Sequence, residues 1–120
     1  MSVNATDNVT DILVNVGNLN DTDTNQWVNA SNITMYVSSD NLSFGYMGTF
    51  TDGGSNLSIN TSNWEVGTMG ANPFTLGGIT NTTTSVYCRF NLTIPDDLET
   101  DVFLPTSSPN TYKIYIARKV

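Results

Sequence analysis

The chain has 120 residues, a net charge of −7 from 11 acidic and four basic side chains, no histidine and one cysteine. Three of the four cations (Arg89, Lys113, Arg118 and Lys119) lie in the last eight residues, so there is no basic patch to neutralise phosphates, which argues against nucleic acid as a partner. Cys88 alone can form no intrachain disulfide, and no run of 18 apolar residues exists to insert into a membrane as a helix.

This length predicts one domain, 1–120, able to bury a modest core without disulfides or metals. Asn, Thr and Ser contribute 16, 18 and 11 residues. Thr favours strands and Asn and Ser favour turns, whereas good helix formers are scarce. In chain order, Ile12, Val14 and Val16 share one face of a strand over Asp11–Val16, with Gly17 and Asn18 as its turn. Ile33, Met35 and Val37 point one way over residues 32–38, and Ser39, Asp40 and Asn41 form a turn cluster. Phe44, Tyr46 and Phe50 are expected on one face with Gly48, completing a hairpin. Asp52, Gly53 and Gly54 mark a turn, Leu57 and Ile59 a short edge strand. Trp64, Val66, Met69, Pro73, Phe74 and Leu76 follow, with Trp64 expected in the core and Trp27 exposed. The clearest strand is 85–94, where Val86, Cys88, Phe90, Leu92 and Ile94 line the core face and Pro95 ends the run. A last strand over 111–117 aligns Tyr112, Ile114 and Ile116. About seven short strands separated by turns predict an all-β, antiparallel two-sheet sandwich of immunoglobulin-like type, with a closed barrel as the alternative.

The strongest functional pattern is Asn-x-Ser/Thr, the acceptor for N-linked glycan in exported proteins. It occurs ten times, at Asn4, Asn8, Asn20, Asn29, Asn32, Asn41, Asn56, Asn60, Asn81 and Asn91. Ser and Thr together make up 29 of 120 residues, so 16 asparagines give roughly four sequons by chance. The excess points to glycosylation and an extracellular location. Asn29 with Asn32, and Asn56 with Asn60, are close enough for crowding to block some. No signal-peptide pattern opens the sequence, so an exported protein would be represented here by a mature or excised piece.

The usual catalytic parts are missing from the sequence. Without histidine there is no common general base or imidazole ligand. A nucleophilic role for Cys88 would need such a base, and its place between Val86 and Phe90 reads as core. Only two glutamates, Glu65 and Glu99, add to loop aspartates for paired-carboxylate chemistry. No enzyme activity and no cofactor are expected. Asp21 and Asp23, and Asp96, Asp97, Glu99 and Asp101, are weak calcium candidates, because their spacing does not match the EF-hand loop.

A family likeness rests on four stretches. Val14-Asn15-Val16-Gly17-Asn18 is similar to a strand-turn of extracellular immunoglobulin-like modules, and Trp64-Glu65-Val66-Gly67-Thr68-Met69 to their Trp-x-x-Gly segment. Residues 76–95, ending Val86-Tyr87-Cys88-Arg89-Phe90-Asn91-Leu92-Thr93-Ile94-Pro95, resemble the penultimate long strand. Residues 110–116 resemble the final one. Such modules occur in cell-surface and surface-layer proteins of archaea, including methanogens, and the resemblance implies fold and location but carries over no catalytic residue. The family's usual first strand is short or missing here, and residues 2–5 are the stretch that would supply it.

Together these observations predict a glycosylated structural or adhesive module of a cell envelope. Its partners would be other surface-protein domains, copies of itself, or glycans, with no direct membrane insertion by this segment. The alternative is the globular part of a pilus or filament subunit, polymerised through a helix or by strand addition from a segment outside this chain. A carbohydrate-binding module with Trp27 or Trp64 stacking on a sugar comes third.

Overall fold

The computed structural model describes residues 2–3, 10–20, 27–52, 56–64, 69–70, 72–73, 84–96, 104–105 and 114–119. In chain order its strands are β1 (Ser2–Val3), β2 (Asp11–Val16), β3 (Leu19–Asn20), β4 (Trp27–Val28), β5 (Ile33–Ser38), β6 (Gly45–Thr49), β7 (Leu57–Asn60), β8 (Thr84–Ser85), β9 (Tyr87–Leu92), β10 (Leu104–Pro105) and β11 (Ile114–Lys119). One 3-10 turn, Ala30–Asn32, leads into β5. The described chain is all-β, and every strand pairing in it is antiparallel. The number of strands differs from the expected seven or so. Eleven are present among the described residues, and five of them have only two residues each.

The six longer strands form two three-stranded sheets, β11-β2-β7 and β6-β5-β9. Smaller pairings, β10-β3-β4 and β1-β8, complete the described architecture. β2 follows its sequence alternation closely, with Ile12, Val14 and Val16 buried and the residues between them half-exposed. β5 does the same with Ile33, Met35 and Val37. These two central strands turn their apolar faces into one core, joined by Ala30, Phe50, Ile59, Trp64, Met69 and Val86. Trp64 is buried, as its size and neighbours suggested, and its indole N–H makes a long 3.5 Å approach to the Gly70 carbonyl.

The hairpin of β5 and β6 departs from the simple alternation. Met35 pairs with Gly48 but Tyr36 pairs with Tyr46, so Met47 is an extra residue, a β-bulge. Side chains alternate with a period of two, so one inserted residue reverses the faces beyond it. Phe44 and Tyr46 therefore do not share a face with Phe50. Tyr46 is exposed, whereas Phe50 is buried and its N–H bonds the Ile33 carbonyl at 3.0 Å. Gly48 faces inward, where a Cβ would lie 2.9 Å from Leu57 Cδ2, so the missing side chain lets β7 approach β6.

The register of β9 and β11 agrees with the expected core faces, but their burial does not. Leu92, Phe90 and Cys88 stand opposite Ile33, Met35 and Val37. Ile114 and Ile116 stand opposite Val16 and Val14. Val86 is buried, Cys88 and Phe90 are half-buried, and Leu92 and Ile94 are exposed. Ile114 and Ile116 are 40% and 46% exposed although their direct neighbours on β2 are buried. β9 and β11 are the outermost strands of their sheets among the described residues, so fewer neighbours cover their inner faces. Val66, Phe74, Leu76 and Tyr112 lie outside the described residues.

Candidate functional site: the sequon surface

Of the ten sequon asparagines, Asn4, Asn8 and Asn81 lie outside the described residues, and Asn20 is placed only as a register position in β3, opposite Trp27 and Leu104. None of the remaining six is buried. Asn41, Asn56 and Asn91 are exposed, and Asn29, Asn32 and Asn60 are half-buried. This is the ordinary preference of an amide that would otherwise need desolvation, and it leaves the acceptor groups at the surface.

Their surroundings differ sharply. The pairing of β2 with β7 sets Asp11 opposite Asn60. Asp11 Oδ1 there accepts from Asn60 Nδ2 at 2.7 Å and from Ser58 Oγ at 3.0 Å. Asn60 Nδ2 also lies 3.3 Å from Ser58 Oγ, and Asn60 Oδ1 accepts the Ser62 N–H at 2.9 Å. Asn63 closes the same turn, its side-chain Oδ1 accepting the Asn60 N–H at 2.9 Å and its Nδ2 donating to the Ser58 carbonyl. The other Asp11 oxygen accepts the Thr10 hydroxyl at 2.9 Å. Ser58 is the hydroxyl residue of the Asn56 sequon and Thr10 that of the Asn8 sequon. One carboxylate thus holds parts of three sequons. Nothing in the sequence marked Asp11, because its partners lie 47 and 49 residues away and only strand pairing brings them together.

The other exposed sequons are differently placed. Asn41 sits at φ 61°, in the left-handed region that asparagine tolerates, at the tip of the β5–β6 loop. The loop is organised from below by Asp40, whose Oδ1 accepts the N–H groups of Leu42 and Ser43 at 2.8 Å each and the Ser38 hydroxyl at 2.7 Å. The backbone N–H bonds of Ser43 and Leu42, then the Ser38 hydroxyl, hold the Asp40 carboxyl down to about 2. Gly70 closes against this loop at φ 78°. Asn91 lies on the outer face of β9, opposite Thr34. In the next row of that face Tyr36 stands between Tyr46 and Arg89. The Tyr36 and Tyr46 rings meet edge-on at 5.9 Å, and the Arg89 guanidinium lies 4.0 Å from the Phe44 ring centre. The side-chain amides of Asn41 and Asn91, and the hydroxyls of Ser43 and Thr93, make no hydrogen bond with another described residue. The Asn32 sequon differs again, since its Thr34 hydroxyl is shared with Thr49 at 3.2 Å.

Of the acidic calcium candidates, Asp21, Asp23, Asp97, Glu99 and Asp101 lie outside the described residues, and Asp96 is an exposed turn residue. Among the described residues no three metal-ligating side chains converge. Cys88 is half-buried, and burial pushes its thiol up to about 11, so it stays protonated at neutral pH. Trp27 is 41% exposed, at the edge of the small β10-β3-β4 sheet, while Trp64 is buried away from any surface ligand.

An apolar cavity of about 170 Å³ opens between the two sheets. Val16, Leu19, Ile33, Phe90, Leu92 and Ile114 line it. It occupies the side where the inner faces of β9 and β11 are left partly uncovered. Comparison with known protein families, with curated proteins and with solved structures returned no match.

Proposed function

We propose that this chain is a non-enzymatic, N-glycosylated structural or adhesive module of a cell-surface protein, built as an immunoglobulin-like β-sandwich. The observation that carries the reading is the excess of sequons, ten against roughly four by chance, in a chain where none of the six sequon asparagines whose burial is described is buried. Two facing antiparallel sheets with a shared core support the sandwich. The likeness of the Trp64 segment and of the final strands to archaeal envelope modules supports a place in an envelope or surface layer. Its partners there are neighbouring domains or further copies. The sheets serve as a rigid scaffold and the glycans as a hydrophilic coat that hinders proteases. Peptide mass spectrometry of the protein from its own cells tests this. Sugar on several of the ten asparagines is the expected result, and a chain bare at every one would sink the reading.

The filament-subunit reading has its own support in the open apolar side. Leu92 and Ile114 line a cavity that no described residue fills, between two outermost strands, a setting in which an added strand would bury apolar side chains and gain backbone hydrogen bonds. Negative-stain microscopy of the native assembly separates the two readings, because only a subunit polymerised this way gives regular fibres.

A further inference from the structure

We propose that the fold sorts its own sequons: in the folded protein Asn41 and Asn91 accept N-linked glycan, whereas the Asp11 carboxylate withholds Asn56 and Asn60. This rests on the reading of the chain as an exported glycoprotein and assigns where on it the sugar is carried. N-glycosylation moves an oligosaccharide from a lipid pyrophosphate to asparagine. The Nδ2 atom attacks the anomeric carbon, and the carbon–oxygen bond to the pyrophosphate breaks, its electron pair leaving with the lipid pyrophosphate. A carbon–nitrogen bond forms, and one amide proton passes to a carboxylate base of the transferase. The acceptor must therefore offer a free amide and, two residues on, a free hydroxyl for recognition.

At Asn60 the reacting nitrogen is itself held, at 2.7 Å from Asp11 Oδ1 and 3.3 Å from Ser58 Oγ. After transfer it would keep one hydrogen and could not serve both partners. At Asn56 the amide is exposed, but the recognition hydroxyl, Ser58 Oγ, donates to the same carboxylate at 3.0 Å. Hydrogen bonds to an ionised acceptor are among the stronger ones, and the β2–β7 register holds both donors against the Asp11 carboxylate. At Asn41 and Asn91 neither requirement is obstructed, since both asparagines and both recognition residues, Ser43 and Thr93, are exposed. Asn41 also projects from a loop that Asp40 keeps open, with the neighbouring Leu42 85% exposed. Asn29 precedes a single 3-10 turn and Asn32 is its last residue; both are half-buried and rank between the two groups.

The test uses the folded, full-length protein made without glycan, incubated with a purified oligosaccharyltransferase and a lipid-pyrophosphate oligosaccharide. Occupancy at each asparagine is compared with that of a synthetic peptide carrying the same sequon. Asn56 and Asn60 should fall about tenfold or more below their peptides, the factor set by breaking a hydrogen bond to a charged group, with Asn41 and Asn91 within about threefold of theirs. Asp11→Ala, shown to be folded by its urea midpoint, should restore Asn60. Folded-state modification of Asn60 at its peptide's level, or equal suppression of Asn41 and Asn91, overturns the sorting even if the variant fails to fold. Glycan mapping of the protein from its own cells separates the two layers. Sugar on Asn60 with Asn41 and Asn91 bare sinks the sorting but keeps the glycoprotein reading. No sugar anywhere sinks that reading, and the transferase assay then judges the sorting alone.

Discussion

Replacing Phe50 with alanine removes the largest fully buried side chain among the described residues. A buried phenylalanine hides roughly 150–200 Å² of apolar surface, and at about 25 cal/mol per Å² that is about 4 kcal/mol. Measured Phe→Ala costs in cores run about 3–5 kcal/mol, which includes the cavity left behind. Phe50 also stacks on Phe90, ring centres 6.3 Å apart and planes 25° from parallel. Phe90 is only half-buried, so its own truncation should cost about half as much, and a double-mutant cycle should return a coupling of about 0.5–1.5 kcal/mol. The assay is urea unfolding with an unchanged m-value, supported by a drop in Tm of roughly 15 °C for Phe50→Ala in a chain of this size. That cost is a large share of the about 5–15 kcal/mol that holds a domain together. If Phe50→Ala does not fold, Phe50→Leu gives a smaller readable loss. A cost under about 1 kcal/mol for Phe50→Ala, or a larger one for Phe90→Ala, would refute the bulge at Met47 that turns Phe50 inward.

Three further outcomes are expected. Gly70→Ala should destabilise by about 1–3 kcal/mol in thermal melts, since its Cβ would meet Ser39 Oγ at 2.6 Å and its φ of 78° disfavours any side chain. Asp40 titrates below the ordinary carboxylate value in the folded state, so its contribution to stability is complete above about pH 4 and is lost as pH falls through about 2. The Tm gap between the wild type and Asp40→Ala should close over that interval, and a gap that stays constant would count against the loop geometry. Cys88, raised to about 11 by burial, should alkylate with iodoacetamide at pH 8 roughly ten- to a hundredfold more slowly than free cysteine, with mass spectrometry as the readout.

Much of this architecture is legible in the sequence where the alternation is long and uninterrupted. β2 occupies the expected residues, and the core faces of β5 and β9 are those their apolar residues indicate. The two-residue strands are not legible, because two residues contain no period to detect. β6 misleads because a bulge inserts one residue, and a pattern read at period two cannot register an insertion set by the partner strand. The half-open side is invisible for a related reason. Ile114 and Ile116 carry the same signal as Val14 and Val16, but burial depends on how many strands lie beyond them. The sequons were plain as a motif. Which of them is encumbered depends on Asp11, far away in the chain and adjacent only through the β2–β7 ladder.

The antiparallel pairing of β2 with β11 has a mechanical meaning for any chain loaded through its two ends. Asp11, where the backbone enters β2, stands opposite Lys119, where it leaves β11. Tension carried into the one and out of the other pulls both strands from the same end of the ladder. The hydrogen bonds lie across the strands, so they meet such a load one pair at a time rather than together. Loaded in that direction the ladder would unzip from Asp11 towards Val16 at low force.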